Sequence, residues 1–176
     1  RWPWFWDVVA CSLTFENIKD IDKWLLLKIR DSKKLTHKKR EEIFNELIKL
    51  SLEKKVYFGV WVVDNHTIDK INIKQANKLA MERSLAELLR KIENDKIIWI
   101  FVDWNDNYKF ENTPNIKSTF IIGWDDKVVE ISAASIIAKV FRDKLVDTYS
   151  MLYPNLEAEN HKWYWTKKHI EYLSDK

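Results

Sequence analysis

Two kinds of apolar patterning divide the chain. Ile97 to Val102, Ile-Ile-Trp-Ile-Phe-Val, is continuously apolar and runs straight into Asp103. A run of this length, rich in β-branched and aromatic side chains, fits a strand buried on both faces, where chemistry gathers at the carboxyl end. Val8 to Phe15 and Val56 to Val63 read as further strands, the second also buried, and Thr119 to Ile122 as a short one. Other stretches show helical spacing instead. After Thr36, a plausible N-cap, Ile43, Phe44, Leu47, Ile48 and Leu50 share one face. Asp64 to Ile71 reads as a polar connection, and Asn72 as the cap of a long helix in which Met81, Leu85, Leu88 and Ile92 recur. A last helix runs from Glu130 to about Met151, and its first turns carry Ser132-Ala133-Ala134-Ser135, small enough to lie close to a sheet or a ligand. Arg1 to Asp7, dense in Pro and Trp, reads as irregular, and Trp104 to Ser118 as a loop. The order of elements argues for one α/β domain, a mixed sheet flanked by helices, with no linker or internal repeat.

Composition narrows the classes. A chain of 176 residues with 46% hydrophobic and 32% charged content is ordinary for a globular domain with a real core. One cysteine, Cys11, excludes a disulfide framework and a cysteine zinc site, and its apolar setting places it in the core. No apolar stretch is long enough to span a bilayer and no signal peptide is visible, so a cytoplasmic location is expected. The net charge of +3 is mild, so a polyanion partner has to be argued from where the charges sit. They sit unevenly: Lys28 to Arg40 holds seven Lys or Arg against the single acid Asp31, and His161 to His169 holds three lysines, two histidines, three aromatics and no acid. Basic segments interleaved with aromatics are one way in which nucleic-acid backbones and bases are gripped. A solvated face gives the same pattern.

Asp103 and the pair Asp125-Asp126 could converge beside one sheet edge and form a carboxylate cluster suited to Mg²⁺ or Mn²⁺. An Asp after a strand is, however, more often a turn former or a cap, and Asp143 a solvated helix residue paired with Lys139 or Lys144.

The order and spacing of several motifs resemble one family, ribonuclease HII. Asp31-Ser32-Lys33-Lys34-Leu35-Thr36, Ile68-Asp69 through Asn72-Ile73 to Ala80-Met81, and Val102-Asp103 match its early and middle motifs. Asp125-Asp126-Lys127, then Ile131-Ser132-Ala133-Ala134-Ser135-Ile136-Ile137-Ala138-Lys139-Val140 with Arg142-Asp143, is similar to its most distinctive segment. His161-Lys162-Trp163-Tyr164-Trp165-Thr166 stands in place of its His-Lys-Gly-Tyr-Gly-Thr.

The resemblance implies a ribonuclease H-like mixed β-sheet flanked by helices, and a monomer. It implies hydrolysis of the RNA strand of RNA/DNA hybrids and cutting on the 5′ side of single ribonucleotides in duplex DNA, by a two-metal mechanism using Mg²⁺ or Mn²⁺. By the same resemblance Asp103 and Asp125 are catalytic metal ligands and Asp143 is an accessory acid. Arg1, Lys33, Lys34, Lys162 and Tyr164 are then substrate-binding, with Arg1 and Tyr164 at the ribose and the lysines on phosphates. The family's first two carboxylates, an adjacent Asp-Glu pair, fall just upstream of Arg1, so the catalytic domain over 1–176 is expected to lack its extreme N-terminal part.

Trp stands at six positions where the family has Gly: 2, 6, 104, 124, 163 and 165. About 7% glycine would give roughly 12 in such a chain, whereas this one holds two, beside ten tryptophans. Two alternatives to the nuclease follow: a catalytically impaired nucleic-acid-binding variant of the same fold, and a structural domain without a ligand.

Overall fold

Alternation along the first two strands sets the architecture. A computed structural model describes residues 7–30, 35–92, 99–103, 110, 117–120 and 128–152. β1 (Val8–Phe15) and β2 (Val56–Val63) pair antiparallel from Val8↔Val63 to Phe15↔Val56. Successive side chains of a strand point to opposite faces. Cys11, Leu13 and Phe15 with Val56, Phe58 and Val60 therefore face one core, and Val8 and Ala10 with Val63 face another.

The first core is closed by three helices: α1 (Lys23–Arg30), α2 (His37–Leu52) and α4 (Val129–Leu152). Leu47, Ile136 and Ile137 are almost wholly buried in it, each burial stabilising by about 1.5–3 kcal/mol. Phe44 of α2 meets Phe141 of α4 edge-on, with ring centroids 5.8 Å apart. The second core lies under α3 (Asn65–Leu89), which places Ala76 and Ala80 against the sheet. β3 (Trp99–Val102) and β4 (Lys117–Phe120) form a separate pair, parallel, from Trp99↔Lys117 to Val102↔Phe120. Both strand senses thus occur, as a mixed α/β fold requires.

Helix starts follow side-chain caps. Thr36 Oγ1 accepts from the Lys39 amide at 3.4 Å, as its position before α2 predicts. Asp22 Oδ1 accepts from the amides of Trp24 and Leu25 and starts α1, a helix the apolar pattern does not announce because Trp24 and Leu27 are exposed. α3 corrects the expected connection over 64–71. Asp64 Oδ1 accepts from the Thr67 amide at 2.7 Å and begins a helix there, which is interrupted at Asn72 (φ 66°). Beyond that break Asn72 caps the longer part as expected, its Oδ1 accepting from the Lys74 and Gln75 amides. The helix stops at Leu89, short of Ile92.

The expectation of a doubly covered β3 is also corrected. Phe101 is 44% exposed and Asp103 is exposed, because the described part of the strand is flanked by β4 and a cavity rather than enclosed. Positions 97–98 and 121–122 of the expected strands lie outside the described residues. Among the described residues no helix is long and apolar enough to cross a membrane.

Candidate functional site

The cavity beside β3 has a volume of about 580 Å³. Val9–Thr14 of β1 form one wall and Ile100–Asp103 of β3 another; Met81, Leu85 and Leu88 of α3 and the start of α4 close it. Helical spacing explains the last wall. Glu130, Ala134 and Ala138 recur every four residues and Ile131 and Ser135 flank them, so the small side chains leave room between α4 and the strands. On the far side of the same segment Ser132 and Ala133 are fully buried. The small run therefore serves both packing and space.

Asp103 follows β3 and borders this cavity as an exposed carboxylate. Its backbone is held through the pairing of the preceding Val102 with Phe120. Glu130, which sequence reasoning treated only as a helix start, borders the same space. Its place in the four-residue spacing with Ala134 and Ala138 was the available signal.

Asp143 is placed elsewhere. It is 3% exposed, not solvated, and stands between α4 and α2. Lys139 Nζ lies 3.4 Å from Oδ1, the partner that i,i+4 spacing predicts. Oδ2 faces His37 Nε2 and Arg40 Nη1, each at 3.9 Å, two partners not foreseen because they come from a separate helix. A buried carboxylate is costly unless cations compensate it, and Lys139 and Arg40 supply that charge. Lys144, the other expected partner, lies over the Phe44 ring instead, 4.8 Å from its centroid.

Asp103 thus borders the cavity and Asp143 does not. Among the described residues no three or more His, Cys, Asp or Glu side chains gather in a group that could hold a metal ion. Asp125, Arg1, Lys33, Lys34, Lys162 and Tyr164, and the tryptophans at 2, 6, 104, 124, 163 and 165, lie outside the described residues. Cys11 packs against the first core, and burial pushes its thiol pKa far above the ordinary range, with Lys91 opposing weakly.

Residues 7–176 match the family described as Ribonuclease HII. The chain is similar to ribonuclease HII of Treponema denticola, 42% identical over 151 residues that cover 81% of this chain and 74% of that protein. It is similar to those of Caldicellulosiruptor bescii, at 43% identity covering 82% and 64%, and of Fusobacterium nucleatum, at 38% covering 96% and 72%. Among solved structures it resembles ribonuclease HII of Archaeoglobus fulgidus, determined in complex with PCNA, with a TM-score of 0.63 and 22% identity over 84% of this chain and 69% of that one. It also resembles ribonuclease H2 of Pyrococcus horikoshii, with a TM-score of 0.62 and 23% identity over 84% and 77%. At such identities these two structures speak for the fold, which is ribonuclease H-like.

Proposed function

The chain belongs to the ribonuclease HII family, and from that premise we propose that the protein is an endoribonuclease that hydrolyses the RNA strand of RNA/DNA hybrids and cuts 5′ of single ribonucleotides embedded in duplex DNA. The observation that carries this reading is the match to that family over residues 7–176, a span that includes Asp103 at the end of β3.

Carboxylate oxygen is the donor that Mg²⁺ and Mn²⁺ take, and Asp103 offers one. The chemistry of this donor fits, and in this reading Asp125 is a second ligand. Asp103 and Asp125 would hold the divalent ions, whose chemistry there would be activation of a water and stabilisation of the leaving 3′ oxygen. The chain's own work is placement. Asp103 contributes a carboxylate on a backbone fixed by strand pairing. Lys33, Lys34 and Lys162 contact phosphates, which orient a duplex without reading its sequence. Arg1 and Tyr164 address the ribose, whose 2′-hydroxyl distinguishes RNA from DNA.

The test is incision mapping. The protein, with any residues that flank this chain, is incubated with Mg²⁺ or Mn²⁺ and a labelled DNA duplex holding one ribonucleotide. A product ending immediately 5′ of that residue is expected; an all-DNA duplex should stay intact. No cut, or a cut elsewhere, contradicts the reading.

The tryptophans at family glycine positions favour a second reading, a nucleic-acid-binding protein impaired in catalysis, since an indole cannot replace a glycine that allows close backbone approach. Salt-dependent duplex binding without incision would be its signature.

A further inference from the structure

We infer that Asp143 is a positioning residue, which fixes the basic start of α2 against α4 through Arg40 and so sets where that segment meets a nucleic-acid backbone. The inference rests on the nucleic-acid substrate proposed above. It gives a specific task to a residue that the family resemblance marks only as an accessory acid.

Three observations carry it. An α-helix turns about 100° per residue. On that winding Asp143 falls on the side of α4 away from Glu130, Ala134 and Ala138, the residues that border the cavity beside Asp103. Second, its side chain is only 5% exposed and lies against α2, with Arg40 Nη1 and His37 Nε2 each 3.9 Å from Oδ2. Third, Arg40 does more than pair with it. Arg40 Nη2 donates to the Leu35 backbone carbonyl at 3.2 Å, so one guanidinium links the buried carboxylate to the residue before the Thr36 cap.

The chain of contacts from Asp143 through Arg40 to Leu35 therefore holds the entry of α2, whose first turn presents the exposed Lys38 and Lys39. A guanidinium can donate a hydrogen bond from one nitrogen while its other faces a carboxylate at ion-pair distance, a fork geometry that a lysine at the same place lacks. Without the carboxylate, Arg40 keeps its hydrogen bond to Leu35 but loses the ion pair that ties it to α4. The lysines next to it are then free to move relative to α4.

The experiment compares the protein, with any residues that flank this chain, against the variants Asp143→Asn, Asp143→Glu, Arg40→Gln and Asp143→Asn/Arg40→Gln. Duplex affinity is read by fluorescence anisotropy across a salt series, and KM, kcat and the Mn²⁺ activation midpoint from incision of the ribonucleotide-containing duplex. Melting curves confirm that each variant folds. Asp143→Asn and Arg40→Gln should each weaken duplex binding and raise KM by roughly fivefold, as expected for a lost phosphate contact. kcat per folded molecule and the Mn²⁺ midpoint should stay within about twofold. The double variant should be little worse than either single one, as expected for residues acting in one chain of contacts, and Asp143→Glu should recover part of the loss. A collapse of kcat with a shifted Mn²⁺ midpoint would make Asp143 a metal ligand and overturn the inference. Unchanged affinity and KM with only a lower melting temperature would overturn it too, by leaving the residue merely structural. Should the wild type bind no duplex, the proposed function itself fails, an outcome visible before any variant is compared.

Discussion

Asp64 accepts the Thr67 amide at 2.7 Å, and that hydrogen bond to the ionised form holds its carboxyl below the usual value of 3.8. Because the folded-state pKa is depressed, the contribution is present above the unfolded-state pKa and is lost as pH falls through the folded one. Asp64→Ala should therefore cost about 1 kcal/mol at pH 7, the usual value of an N-cap. The difference should shrink at a pH below the ordinary carboxylate range, as the folded-state group takes up its proton. Urea denaturation of both proteins at the two pH values checks this; a gap that persists in acid would show that the cap does not act through its charge. Cys11 makes the opposite case. Its thiol pKa is pushed up by burial, and the thiolate is the reactive form. Iodoacetamide at pH 8 should modify the native protein much more slowly than the denatured one. Labelling of the native protein at the denatured rate would contradict the packing described for β1.

Gly59 decides how closely α3 can lie on the sheet. A Cβ built there would meet the Ser84 carbonyl oxygen and come within 2.5 Å of the Leu88 amide nitrogen, both backbone atoms of α3 that cannot swing aside. Gly59→Ala should thus destabilise the fold by about 1–3 kcal/mol, as overpacking does. A melting temperature equal to that of the wild type would show that α3 is not held so tightly. Neighbouring features show what local patterning can and cannot reveal. Thr36 and Asn72 were legible as caps because the side chain that starts a helix lies beside the helix it starts. The first turn of α3 was not legible, since Asp64, Asn65, His66 and Thr67 have the polarity of a loop, and the turn shows only in the Asp64 side-chain cap and the backbone bond from Ile68 to Asp64. α1 escaped notice for the reverse reason. Its apolar residues do not keep to one buried face: Ile29 is fully buried while Trp24 is 73% exposed.

The whole molecule joins two cores through the β1–β2 pair, with α3 on one face and α1, α2 and α4 on the other. Motif order along the chain was enough to identify the family because those motifs are sequential. The neighbours of a site residue were harder to read, since they depend on contacts between distant elements. Asp143 illustrates this: Lys139 on its own helix was predictable, whereas His37 and Arg40 became visible only once α2 lay against α4. For the same reason Asp103 was legible as a strand-end acid, but its open surroundings were not, because they follow from the distance between β1 and β3 rather than from the run that precedes it. The central claim is that this acid belongs to the centre of a metal-dependent ribonuclease. Its most direct test is the rate of RNA/DNA hybrid cleavage by the protein, with any residues that flank this chain, against Asp103→Asn of equal melting temperature, with Mn²⁺ in excess. The account predicts that the variant cleaves more slowly by about a hundredfold or more, the order lost with one electrostatic stabiliser of a transition state. Equal rates in the two proteins would contradict it.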